Sequence, residues 1–213
     1  MPKSNHSIIT ANASGLKLPE SFYLGTNVVR IARELLGKSL YTRIDDTVTG
    51  GTIVETEAYS WKERGCHAYD NRKTARNAVM FGPGGHAYVY MCYGIHFLFN
   101  VVTNTAETAD AVLIRALEPH TGVAAMEERR GKLTNRFHLT SGPGKLTRAL
   151  GIDRLWNGAS LQQDKVWIAD DGLRIRRSDI VAGPRIGIDY AGEDALLPWR
   201  FSVRGNPWVS KAG

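Results

Sequence analysis

The sequence predicts a single α+β domain. Three observations lead there: several β-rich runs spread along the chain, a few short helices with cap residues at their ends, and no linker, repeat or low-complexity tract between them. The 213 residues suffice for one ordinary hydrophobic core, and 43% hydrophobic with 23% charged residues suits a globular protein. Residues 1–18 are polar, rich in Ser and Asn and without period, so they are expected to be a mobile tail ahead of one domain over 19–213.

The elements follow in order. Thr26 is placed to cap a helix carrying Val28, Val29, Ile31, Leu35 and Leu36, which Gly37 ends. A strand over 39–44 leads into a turn at Asp45 and Asp46, and a second strand covers 52–59. Residues 60–78 read as an irregular polar loop, closed by the breaker cluster at 82–85. Runs over 87–92 and 96–103 flank Tyr93-Gly94 and read as a β-hairpin. A strand over 111–117 precedes a helix over 121–130, started near Pro119. Ser141 is placed to cap a further helix through Leu146 to Leu150, with Pro143 in its first turn and Gly151 after it. Strands over 180–188 and 201–203 finish the domain.

Charge and cysteine content narrow the setting. Lys and Arg number 27 against 21 Asp and Glu, giving a formal charge of +6, a balance that attracts polyanions such as nucleic acid. Cys66 and Cys92 form no C-x-x-C pair and read as free thiols in a reducing compartment. No apolar run reaches the roughly 18 residues a membrane span needs. The N-terminus shows no basic stretch followed by an apolar one, so an intracellular protein of cytoplasm, nucleoid or nucleus is expected, not a secreted one.

Chemistry concentrates in a few places. Side chains alternate along a strand, so Ile53, Glu55, Glu57 and Tyr59 are expected on one face, two carboxylates beside an aromatic. That pattern fits a solvated face as well as a carboxylate placed next to a ring that stacks on a flat ligand. The two carboxylates lie about 6.6 Å apart along a strand. That is near the roughly 6.5–9.5 Å of inverting sugar hydrolases. Tyr93 at the hairpin tip fits either a wedge that enters a partner or a ring packed on a neighbouring loop. Asn100, among Phe97, Phe99, Val101 and Val102, needs partners, in the hairpin or facing a pocket. Arg115 sits mid-strand in an apolar run and must be paired if buried, with Glu57 or Glu118 as partner. The Gly-rich turn Ser141-Gly142-Pro143-Gly144-Lys145 opens a helix and suits a phosphate. His67, His86, His96 and Cys66 lack metal-ligand spacing, so no metal is expected.

Taken together, several blocks resemble the alkyladenine (3-methyladenine) DNA glycosylases of the mammalian type. They are Leu36-Gly37-Lys38, Val54-Glu55-Thr56-Glu57-Ala58-Tyr59, Tyr88-Val89-Tyr90 with Tyr93-Gly94, Arg115-Ala116-Leu117-Glu118-Pro119, Ser141-Gly142-Pro143 with Lys145-Leu146, and Arg204-Gly205 with Pro207-Trp208-Val209-Ser210, in family order. The resemblance implies a curved, largely antiparallel sheet with flanking helices and a protruding hairpin. It implies a monomer acting on double-stranded DNA with damaged purines, without cofactor. It also implies roles: Glu57 as general base, with Arg115 and the Ile186 backbone carbonyl holding the attacking water; Tyr59, His67 and Tyr90 as walls around an everted base; Asn100 against the exocyclic amine of guanine; Tyr93 as the wedge in the duplex. Arg72, Arg76, Ser141 and Lys145 are the expected phosphate contacts. His96 and Cys66 depart from the family pattern, both at the pocket rim.

Overall fold

Where each element starts and stops is set by a few cap and breaker residues. The computed structural model describes residues 15–211. A single turn, α1 (Glu20–Tyr23), precedes α2 (Val28–Glu34). Asn27, not Thr26, caps α2, its side chain accepting the Arg30 N–H at 2.9 Å, because the helix begins one residue later than the apolar pattern suggests. The helix α3 (Val123–Arg130) follows Gly122, whose φ of 64° turns the chain, and the expected start near Pro119 is wrong. The helix α4 (Pro143–Leu150) is preceded by Gly142; Ser141 makes no cap and instead bridges to Ala116.

Among the described residues, nine strands make one sheet: β1 (Leu16–Lys17), β2 (Ser39–Ile44), β3 (Thr47–Tyr59), β4 (Ala87–Cys92), β5 (His96–Thr103), β6 (Asp110–Thr121), β7 (Val166–Asp170), β8 (Ile180–Gly183) and β9 (Arg200–Val203). The order is β1-β7-β2-β3-β6-β5-β4, with β9 joining β3 and carrying β8, and every pairing is antiparallel. The fold is thus a mixed, mostly antiparallel open sheet with few helices, in one domain. The tail reading of 1–18 lies outside the described residues for 1–14. It fails for the rest, since Leu16 and Lys17 pair with β7 and Leu18 is buried. The strand expected over 180–188 stops at Gly183, because Pro184 has no N–H to continue the ladder.

The long strand β3 organises everything else. Its first half pairs with β2, its second half with β9, and β6 runs along its other edge. Pro119 fits inside β6 because it faces Gly51 at a register shift; a Cβ on Gly51 would stand 2.6 Å from the Glu118 carbonyl oxygen. The Thr56 hydroxyl donates to the Ala32 carbonyl at 2.8 Å and ties β3 to α2. Ile31, Leu35, Leu40, Ile53, Ile114 and Leu146 pack in one apolar core with no exposed surface. Each such side chain contributes about 1.5–3 kcal/mol by burial.

Candidate active site

Two register slips build the site. On β3 the pairing skips Val54, and on β6 it skips Arg115, so Glu55 faces Ala116 while Thr56 faces Ile114. Arg115 is the extra residue of a β-bulge, and bulges re-aim side chains. Its guanidinium reaches both carboxylates of β3, with Nη1 3.2 Å from Glu57 Oε2 and Nε 3.3 Å from Glu55 Oε1. Ile53 lies beyond the slip and packs in the apolar core, so the face shared on β3 is Glu55, Glu57 and Tyr59. Glu118 is not the partner of Arg115; it accepts from Asn206 Nδ2 at 2.7 Å.

Glu57 has no exposed surface, and neither has Glu55. A solvated face is therefore excluded, and buried charges on this scale require partners. Glu57 Oε1 accepts the Ile186 N–H at 2.8 Å, and Oε2 accepts the Tyr59 hydroxyl at 2.8 Å beside Arg115. The expectation for Ile186 placed its carbonyl on the attacking water; the Ile186 contact seen here is a different one, its N–H on Glu57. Glu55 is committed on both oxygens: Oε1 takes Arg200 Nε at 2.6 Å, and Oε2 takes the Ser210 N–H at 2.8 Å. Charges thus alternate in a chain, Arg200, Glu55, Arg115, Glu57. Burial works against the Arg115 charge, yet Glu57 and Glu55 together outweigh it and raise its pKa above the usual arginine value. Burial, then the Glu57 charge, holds the Tyr59 hydroxyl well above the usual tyrosine range, so it stays a donor. Glu55 is clamped between Arg200 and Arg115 and does not line the cleft, so it is not placed as the second carboxylate of a sugar-hydrolase pair with Glu57.

Tyr59, Arg115 and Ile186, which touch Glu57, also line a cleft of about 1230 Å³. His67 and Tyr90 stand in the same cleft with ring centroids 4.5 Å apart, edge to face, and His67 Nδ1 pairs with the Tyr88 hydroxyl at 2.9 Å. Burial, then the nearby Arg76, lowers the His67 pKa to about 4, which leaves a neutral imidazole at pH 7. Asn100 both lines the cleft and ties the hairpin, its Nδ2 donating to the Tyr88 carbonyl at 3.1 Å. Tyr93 is 85% exposed at the tip, with φ of 51° followed by 71° at Gly94, so it does not pack on a neighbouring loop.

Of the expected phosphate contacts, Ser141 and Lys145 line the cleft at the start of α4. Arg76 also lines it, but its guanidinium lies over the Tyr90 ring, 5.2 Å from the centroid. Arg72 is exposed outside the cleft lining. Sequence reasoning missed the buried pair of Arg185 and Glu63, and the exposed Met91 and Ile95 that flank Tyr93. The available signal for Arg185 was the same as for Arg115, a lone charge in an apolar run. Among the described residues, no group of three or more His, Cys, Asp or Glu is disposed to hold a metal ion.

Comparison with known proteins gives this geometry a context. The methylpurine-DNA glycosylase family profile matches residues 21–207. A Chlamydia felis protein provisionally named 3-methyladenine DNA glycosylase is 47% identical over 186 residues, which is 86% of this chain and 94% of that protein. A Bacillus cereus protein so named is 44% identical over 205 residues, 92% of this chain and 100% of its own length. One from Carboxydothermus hydrogenoformans is 47% identical over 194 residues, 91% and 98% of the two chains. A bulge that aims an arginine at two buried carboxylates beneath an aromatic cleft therefore sits in a chain that matches this family from end to end of its domain, and the chain belongs to the methylpurine-DNA glycosylases.

Proposed function

We propose that the protein is a monofunctional glycosylase of base excision repair that everts alkylated or deaminated purines from duplex DNA and hydrolyses their bond to the sugar. The observation that carries this reading is the buried Glu57 carboxylate, held by Ile186, Tyr59 and Arg115, which themselves line an aromatic cleft. A base inside a duplex hides its glycosidic bond, so an enzyme that cleaves that bond must first turn the nucleotide out of the stack and into a pocket. Tyr93 would fill the gap left in the stack, and phosphate contacts from Lys145 and Ser141 would position the protein without reading sequence.

Glu57 takes a proton from water as that water attacks the sugar carbon, and its charge offsets the oxocarbenium character of the transition state. Oε1 carries a single N–H donor, so its second lone pair is free for the water. Glu57 has no exposed surface, so the cleft wall beside Oε1 opens to admit the water while Ile186, Tyr59 and Arg115 keep hold of the carboxylate. No Lys occupies the pocket positions matched to the family, and the lysines that line the cleft, Lys145 and Lys211, lie outside them, which fits water as the nucleophile and an abasic site as product. An N-alkylated purine is cationic, and tyrosine faces favour a cation by about 0.5–2 kcal/mol. 3-Methyladenine and 7-methylguanine fit this description; hypoxanthine and ethenoadenine are neutral and need a proton on departure. Asn100 crowds the exocyclic amine of normal guanine and so excludes it.

The test is Glu57→Gln on duplexes with a single hypoxanthine, read by strand breakage after alkali. The expected result is loss of base release with binding to the damaged duplex retained. A variant that keeps more than about a tenth of the rate, a barrier change under ~1.4 kcal/mol, removes Glu57 from the role of base.

A further inference from the structure

Outside the chain of charges on β3 and β6, Arg185 holds a second cluster of contacts, although its Nε has no hydrogen-bond partner among the described residues. It is buried, and its guanidinium meets Glu63 in a two-point fork, Nη1 to Oε1 at 2.6 Å and Nη2 to Oε2 at 2.7 Å. Nη1 also donates to the Ala58 carbonyl and Nη2 to the Asp194 carbonyl, each at 3.0 Å. Its flat face lies over the Tyr59 ring at 4.8 Å and near the Trp199 ring at 5.4 Å. Glu63 in turn accepts the Gly65 N–H at 2.7 Å, two residues before His67.

These contacts converge on one object. Glu57 has two uncharged donors, the Ile186 N–H and the Tyr59 hydroxyl. Ile186 is the residue after Arg185, and Tyr59 is the ring against which Arg185 stacks. Pro184 has ended β8, so no sheet ladder holds the Ile186 peptide; the side chain of Arg185 anchors that segment instead. From this geometry we infer that Arg185, locked to Glu63, is a positioning residue that holds both uncharged donors on the Glu57 carboxylate. Both of its Nη groups are committed to Glu63 and to backbone carbonyls, so it acts through Ile186 and Tyr59 rather than on the substrate. The inference rests on the reading of Glu57 as the base.

Two variants of the full chain test it: Arg185→Lys, which keeps the charge but loses the planar fork, and the double change Arg185→Met with Glu63→Gln. The double change leaves no unpaired buried charge, so it preserves folding where a single neutral replacement strands the Glu63 carboxylate. Measured are single-turnover base release from a hypoxanthine duplex, affinity for that duplex, and the fluorescence of an ethenoadenine duplex as a report of eversion. Expected is at least a tenfold slower release in the folded variants, with affinity and fluorescence change within about threefold of the parent. A merely structural role gives a lower melting temperature and an unaltered rate in the folded fraction. The inference is overturned if either variant, folded by circular dichroism, releases base within twofold of the parent, or if release and affinity fall together. Glu57→Gln run alongside separates the two readings: an inactive Glu57→Gln with an unimpaired Arg185→Lys sinks only the role of Arg185, whereas an active Glu57→Gln sinks the base assignment itself.

Discussion

The floor of the cleft and the tip of the hairpin are built on opposite plans. At the floor, Glu55, Glu57 and Arg115 are buried and every one of their charges has a partner. At the tip, Met91, Tyr93 and Ile95 expose apolar surface around a turn whose Tyr93 and Gly94 are left-handed, and a Cβ at Gly94 would meet no atom within 4 Å. The floor pairs its charges within the chain, so the Glu57 carboxylate is held in place before any substrate arrives. The tip leaves its interactions unmade, and its apolar side chains gain burial only when a partner supplies the surface.

The contrast between floor and tip breaks most easily at Arg115. Arg115→Leu removes the cation between two buried carboxylates, a class of change that costs about 3–5 kcal/mol. Chemical denaturation should show that loss and the alkali assay should show no base release. Stability within about 1 kcal/mol of the parent, the ordinary effect of a point change, would mean the floor is not locked as described. His67 gives a second, smaller effect, set by pH. Its folded pKa near 4 lies below the ordinary 6.5, so the unfolded chain binds the proton more readily. The sign follows: stability is full above 6.5 and declines as pH falls from 6.5 toward 4. The melting temperature of the parent should fall across that window more steeply than that of His67→Phe; parallel curves would assign the slope elsewhere. The smallest change in stability belongs to the tip. Tyr93→Ser should leave stability within about 0.5 kcal/mol. Binding to damaged duplex should weaken by roughly tenfold, ~1.4 kcal/mol, with less effect on release from single strands. Equal losses on both substrates would mean that Tyr93 does not act as a wedge.

Legibility followed the range of the interactions. The strand β2 and the hairpin strands β4 and β5 lie where alternation and turn residues put them, because those signals are local. Arg115 could be read as a buried, paired arginine from its apolar neighbours alone. Its bulge could not, since a skipped residue is visible only when two strands are aligned. The five-residue β7 went unread because so short a run carries no distinguishing period. Arg185 and Glu63 stand 122 residues apart, and the Gly183-Pro184 break beside Arg185 masked the apolar run around it. The resemblance brought Ile186 to attention, but which of its backbone atoms meets Glu57 is a matter of a loop conformation that no side-chain pattern encodes.

The bulge at Arg115 also turns strand length into a functional quantity. Because the pairing of β3 with β6 skips one residue on each strand within a few positions, the strands act as a counter. A single inserted or deleted residue on either strand would reverse the alternation downstream and swing the guanidinium to the opposite face of the sheet. The lengths of these two strands are therefore as much a part of the site as the side chains they carry.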